Sequence, residues 1–240
     1  TAPCATLVYW RTGDIRVIGL PNPGTTLKLV PTDTKRYEAR VAGANVSKGY
    51  FNNQEATDAA YDDDGYYCTG DSVAFLDNQN PNAGLVFAGR LGEDFKLTSG
   101  TWVNNAEIRG SLNEIGKPYL MEVVLAAPNR PYLNAIIVPN VAALREHFSE
   151  LSDAHTEDAE LLHSSAVISL FRSFMQEHNR HRTGNSQRIV RFTVLTRPLQ
   201  FDQGEATDKG YVNQGAVLRN NTGLVTRLYE DEPAEGVWEV

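Results

Sequence analysis

The chain has 240 residues, 41% of them hydrophobic and 22% charged, with a formal net charge of −8. That length allows one large domain or two small ones with a proper core, and the negative balance repels phosphate backbones, which argues against nucleic acid as a partner. The two cysteines, Cys4 and Cys68, are too few for a disulfide framework and read as reduced thiols in a cytoplasmic compartment, while no apolar run approaches the ~18 residues of a membrane span.

The first 90 residues carry short β-type runs: "DIRVIGLP", "TTLKLVP", "KRYEARVAG", "YYCTGDSVAFLD" and "GLVFAGR". Each is bounded by Gly, Pro, Asn or Asp. Strands at this spacing predict a barrel-like or sandwich-like β subdomain. Within it stands "DDDGYYCTGDS", residues 62–72. Placing Gly65 at the glycine of an EF-hand loop puts Asp62 and Asp64 at ligand positions, but Ala60 falls at the first position and Asp71 where a Glu belongs. A solvated turn suits Asp62 to Asp64 better, and no metal site is expected. Asp71 follows a tight Thr-Gly step. A carboxylate there can accept two hydrogen bonds from a vicinal diol such as a ribose, or serve as a plain turn residue.

The pattern changes at "AGRLGED", residues 88–94, where Gly89 and Gly92 flank Arg90 and Leu91. This joint is a candidate hinge, and the expected division is 1–91 and 92–240. Beyond it, "EDFKLTSG" reads as a strand and loop. "NNAEIRGSLNEIG" reads as a helix capped by Asn104 or Asn105, with Ile108, Leu112 and Ile115 on one face. "YLMEVVLAAP" and "YLNAIIVP" read as buried strands, and "NVAALREHFSEL" and "SSAVISLFRSFMQEHNRH" as amphipathic helices. "SQRIVRFTVLTRP" is a further strand, and "GLVTRLYEDE" a last helix. The predicted class is α+β: a β-rich, barrel-like subdomain followed by a small α+β unit.

Three cations stand at turns. Arg90 between glycines, with Lys96 six residues on, suits an anionic or nucleotide ligand or else decorates a surface hairpin. Lys209, between Asp208 and Gly210, can swing a point charge onto a substrate and stabilise charge gathering on a carboxylate and a phosphate, or stand exposed in its loop. His178 and His181 share a helix face without partners at metal spacing and read as a solvated helix end. No Walker, dinucleotide or nucleophile-elbow motif occurs.

Taken in order, these segments resemble the adenylate-forming acyl-CoA synthetase superfamily. "YEARVAGANVSKGYFNN" is similar to its "GE-x-x-V-x-G-x-x-x-x-x-GY-x-N" segment, and "DGYYCTGD" to "GW-x-x-TGD". "AGRLGEDFKLTSGTWVNNAEI" is similar to "GR-x-x-D-x-x-K-x-x-G-x-x-x-x-x-x-EI", and "ATDKGYVNQ" stands where the family has its lysine motif. The forms "EDFKL-x-x-GTWV" and "GE-x-TDKG-x-x-NQ" resemble the feruloyl-CoA synthase branch. The resemblance implies that Asp71 holds the ribose hydroxyls of AMP and that Arg90 approaches the same ribose. It implies that Lys209 is the catalytic lysine of adenylation. Lys96, Gly100 and Trp102 would lie on the loop that faces CoA after a rotation at the joint, where Gly92 takes the hinge position usually held by Asp or Lys. ATP with Mg2+, coenzyme A and a carboxylic acid, here a hydroxycinnamic acid, are the implied cofactors and substrates. The family's phosphate loop and most of its acyl pocket lie in a long N-terminal region not in this sequence, so the chain is expected to be inactive by itself. Two alternatives stay open: an adenylation domain loading a carrier protein, and a non-catalytic interaction protein that retains the fold.

Overall fold

Alternating apolar and polar residues in the first segment build a sheet with one covered face. The structure is a computed structural model and describes all residues except 15, 33–35, 152–155 and 208–209. The chain divides into two units, Thr1–Gly92 and Glu93–Val240. In the first, strands β1 (Thr6–Leu7), β2 (Val17–Pro21), β3 (Thr25–Pro31), β4 (Tyr37–Gly43), β5 (Tyr67–Phe75) and β6 (Leu85–Arg90) form one antiparallel sheet in the order β1-β2-β6-β5-β4-β3. Ala39, Val73 and Leu85 are its buried centre, with Leu27, Tyr37 and Phe75 packed around them.

A helix that apolar periodicity did not announce, α1 (Gln54–Ala60), lies between β4 and β5. Its sequence "QEATDAA" buries no residue, so there was no apolar stripe to see. The Asn53 side chain caps it by accepting from Ala56 N at 2.9 Å. The acidic turn is solvated at Asp63 and Asp64, as expected, but Asp62 is largely covered. The Asp62 carboxylate accepts from Lys28 Nζ at 2.8 Å and Arg40 Nη1 at 3.0 Å. It also receives the backbone N–H groups of Asp64 and Tyr66. The Lys28 ammonium first, then the Tyr66 N–H, holds its carboxyl well below the usual carboxylate range.

The second unit is sandwiched differently. Strands β9 (Leu120–Leu125), β10 (Leu133–Pro139), β11 (Ile189–Val194) and β12 (Val237–Glu239) form a sheet in the order β12-β11-β10-β9. β10 runs antiparallel to β9 and parallel to β11. The parallel step is made by a helical crossover through α3 (Val141–His147), α4 (Asp158–His163) and α5 (Ser165–Asn179). Every residue of β10 is buried, because helices cover both faces. Leu133, Ala135 and Ile137 face a core with α2 (Asn105–Gly116) and α5. Ile136 and Val138 face a second core with α6 (Gln214–Asn220) and α7 (Thr222–Arg227). A small hairpin, β7 (Phe95–Lys96) with β8 (Trp102–Val103), precedes α2.

Asn104 is the cap of α2. Its Oδ1 accepts from Glu107 N at 3.2 Å, and its amide reaches back to Glu107 Oε2 at 3.0 Å. Ile108 and Leu112 are buried on the face the sequence assigned, with Ile115 at its margin. Along α5, Val167, Ile168, Phe171, Met175 and His178 are buried together. Among the described residues, no helix is long and apolar enough to cross a membrane.

Candidate active-site residues

β5 and β6 are neighbours, and their register sets Asp71 opposite Arg90. Thr69-Gly70-Asp71 lies inside β5 rather than at its end, where the ladder slips between Asp71 and Val73. Gly70 takes φ +67, a left-handed conformation that costs glycine nothing sterically. Thr69 fixes the kink: its hydroxyl donates to Ala39 O at 2.5 Å and accepts from Asp71 N at 3.0 Å. Arg90 Nε approaches Asp71 Oδ1 to 3.3 Å. The two are not aligned as a hydrogen bond, and Oδ1, shielded from solvent, has no hydrogen-bond partner. Burial pushes the Asp71 carboxyl above its ordinary value, against the pull of the Arg90 guanidinium. A desolvated acceptor with an unfilled lone pair is stabilised by any donor that arrives. A vicinal diol brings two.

The other sequence-predicted residues fall in the second unit. Lys96 and Trp102 are opposite each other in the β7–β8 pair, and Lys96 Nζ lies 4.7 Å from the Trp102 ring centroid, a cation–π contact. Gly100, at φ +79, closes the connecting turn through its N–H to Leu97 O at 2.9 Å. The hairpin is anchored at its base, where Thr98 N donates to Arg130 O and Asn129 N to Lys96 O, both at 3.0 Å. A rigid base with an exposed cation and a ring edge can hold an anionic chain or a flat group.

Gly92 ends the first unit. A Cβ there would meet nothing within 4 Å, so neither space nor backbone conformation requires glycine in this arrangement. Immediately after it, Glu93 pairs with Arg109 at 2.6 Å, and Asp94 Oδ1 accepts from Asn105 N at 3.1 Å. Both acidic residues are thereby bound to α2.

Lys209 and its neighbour Asp208 lie outside the described residues. The chain on either side is well tied. Thr207 N donates to Tyr211 O at 2.9 Å, Gly210 N donates to Thr207 O at 2.8 Å, and Ala206 and Val212 form a bridge. At the base of this hairpin sits Glu205, which sequence reading missed. It is fully buried and pairs with Arg197 at 2.7 Å. A charged residue in a polar segment gives no pattern from which burial could be read.

His178 is also buried, not solvated. Its ring bonds Ser111 Oγ at 3.1 Å and Gln187 O at 3.0 Å, and desolvation pushes its pKa down. A signal was present: His178 follows Phe171 and Met175 at i+7 and i+3 on the buried face of α5. Among the described residues no three His, Cys, Asp or Glu side chains converge as a metal site.

No family model matches the chain. Long chain acyl-CoA synthetase 8 of Arabidopsis thaliana is 31% identical over 237 residues, covering 96% of this chain and 29% of that protein. The carboxylic acid reductase of Segniliparus rugosus is 26% identical over 177 residues, covering 73% of this chain and 13% of that protein. In structure, the adenylation domain of the carboxylate reductase of Mycobacterium chelonae superposes with a TM-score of 0.67 at 23% identity, over 88% of this chain and 32% of that one. The chain therefore spans less than a third of the length of these curated relatives. Its relatives and its structural neighbours are acyl-CoA synthetases and adenylation domains.

Proposed function

We propose that this chain supplies the β-rich subdomain and the mobile C-terminal domain of an ATP-dependent, AMP-forming acid–CoA ligase. The observation that carries the reading is Asp71: a half-buried carboxylate with an unfilled acceptor oxygen, facing Arg90 across a strand pair. In this reading Asp71 accepts hydrogen bonds from the ribose diol of the adenylate, and Arg90 stands on the same ribose edge. The acid's carboxylate oxygen attacks the α-phosphorus and pyrophosphate leaves. Lys209 supplies positive charge to the carboxylate and the α-phosphate as that charge shifts. The CoA thiol then attacks the acyl carbonyl, loses its proton, and AMP departs. Lys96, Gly100 and Trp102 form the face presented to CoA in that second step. Gly92 is the pivot between the two arrangements, because alternate poses let one site serve two half-reactions. Magnesium enters with ATP as charge compensation, and no described residue of this chain is assigned to hold it.

For the acid, the forms "EDFKL-x-x-GTWV" and "GE-x-TDKG-x-x-NQ" favour a hydroxycinnamic acid such as ferulate. The name of the Arabidopsis relative makes a long-chain fatty acid the direct competitor. A second reading, favoured by the likeness to the A-PCP didomain of the Segniliparus rugosus carboxylic acid reductase, keeps the first half-reaction and passes the acyl group to a carrier-protein thiol.

The test uses the natural polypeptide that carries this sequence. Lys209→Ala is expected to slow acid-dependent pyrophosphate exchange by ~10²–10³-fold, the loss seen when one preorganised charge donor is removed. Thioester formation from supplied acyl-adenylate should persist. Equal loss of both half-reactions would refute the lysine's role. Unchanged activity in Lys209→Ala and Asp71→Asn alike would leave the non-catalytic reading. Ferulate, a long-chain fatty acid, free CoA and a carrier protein, compared side by side, select among the substrates.

A further inference from the structure

Glu205 is an expensive residue to bury. It has no exposed surface, and a carboxylate loses its hydration there unless donors replace it. They do. Oε1 accepts from Arg197 Nη2 at 2.7 Å and from the amides of Asn220 and Asn221, each at 3.2 Å. Oε2 accepts from Arg197 Nη1 at 2.7 Å and from Gln200 N at 2.9 Å. Arg197 Nη2 closes the network on Asn221 Oδ1 at 3.0 Å. The donors come from two separate places: the segment after β11, and the junction of α6 with α7. The Arg197 guanidinium, above all, holds the carboxyl down at about 2, so the charge persists across the working pH range.

The backbone of Glu205 is tied as firmly. Its N–H donates to Gln200 O at 3.0 Å and its carbonyl accepts from Asn213 N at 2.8 Å. Directly above begins the hairpin whose arms are joined by the Ala206–Val212 bridge and the Thr207–Tyr211 bond, with Tyr211 N also donating to Thr207 Oγ1 at 3.2 Å. In sequence, Lys209 stands between those arms. A lysine has a long flexible stem, so the point from which it departs determines where its charge can be delivered.

We infer that Glu205, clamped by Arg197, is a positioning residue: it fixes the base of the Ala206–Val212 arms that flank Lys209 in sequence, and acts on adenylation only through that lysine. The inference rests on the proposed function and adds to it a residue that touches neither substrate nor nucleotide.

The experiment compares Glu205→Gln, Arg197→Lys and Lys209→Ala in the natural polypeptide that carries this sequence. It reads both half-reactions and the amide hydrogen exchange of residues 206–213. Glu205→Gln keeps the shape and removes the charge. It should slow adenylation roughly 100-fold, the cost of a misplacement on the order of 1 Å, and leave thioester formation from supplied acyl-adenylate intact. Exchange should speed up at Thr207, Gly210, Tyr211 and Asn213, with the amides of α5 still protected. Arg197→Lys, which retains the charge but not the fork, should fall between Glu205→Gln and wild type, and carries the test if Glu205→Gln does not fold. Unchanged adenylation in a folded Glu205→Gln overturns the inference while Lys209→Ala still upholds the site. Equal loss of both half-reactions with faster exchange in α5 also overturns it, as a purely structural role. Adenylation that survives Lys209→Ala overturns the reading beneath it, since there would then be nothing to position.

Discussion

Asp71→Asn separates stability from nucleotide binding. The substitution keeps shape and removes charge. In the free protein that charge is unfavourable on balance, since burial raises the Asp71 carboxyl and the Arg90 guanidinium offsets this only partly. The side chain is 35% exposed and that of Arg90 is 64% exposed, so solvent screens both effects and the net gain is small, about 0.5 kcal/mol. For a unit of this size that is ~2–4 °C in midpoint. A carboxyl raised in the folded state contributes stability that is complete below its unfolded value and lost as pH rises through the folded one. Wild type thus carries the penalty at pH 7, and the gain of Asp71→Asn should vanish as the pH falls below the ordinary carboxylate range. AMP binding should move the other way. Losing a charged acceptor of the diol costs about 1.5–3 kcal/mol, or ~10- to 150-fold in Kd. Calorimetric unfolding of this chain at pH 7 and pH 3 reads the first effect. AMP titration of the natural polypeptide carrying it reads the second. A variant more than about 1 kcal/mol less stable at pH 7 with unchanged AMP affinity would refute the reasoning and make Asp71 a structural partner of Arg90.

Two further outcomes follow from the second unit. Burial lowers the pKa of His178, so its stabilising contribution is present above the unfolded histidine value and lost as pH falls below it. The unfolding free energy should decline toward acid by at most about 1.4 kcal/mol per pH unit from this group, and His178→Gln should flatten that slope in denaturant titrations at pH 7.5 and 5.5. Phe171→Ala, at a fully buried position facing α2 and the sheet, should cost about 3–5 kcal/mol. Urea unfolding checks it, with the second unit's transition moved and the first unit's left in place.

Elements with strong local periodicity were legible. α2 declared its cap at Asn104 and its face at Ile108 and Leu112, and the apolar runs that became β9 and β10 needed no partner to be recognised. Short elements were not. β12 has three residues and exists through its pairing with β11, far back in the chain. α1 buries nothing, and its signal was a cap rather than a stripe. Polar residues behave differently. Asp71, Arg90, Lys96 and Lys209 were singled out because their types and order resemble a known pattern, not because periodicity marks them. His178 and Glu205 were misjudged or overlooked because polar residues were assumed to face water.

The sequence by itself determined where the residue pattern changes character, which segments alternate with period two or recur with helical spacing, and which charged residues stand at glycine-marked turns. These properties are local, set by neighbours within a few residues. Only the tertiary structure decided that Asp71 faces Arg90, that the Asp71 oxygen is left without a donor, that β10 and β11 run parallel, and that Glu205 is sealed at the foot of the Ala206–Val212 bridge. Each of these depends on which distant segment supplies the partner. Burial of a polar group is stable only when such a partner arrives, and no local pattern records its arrival.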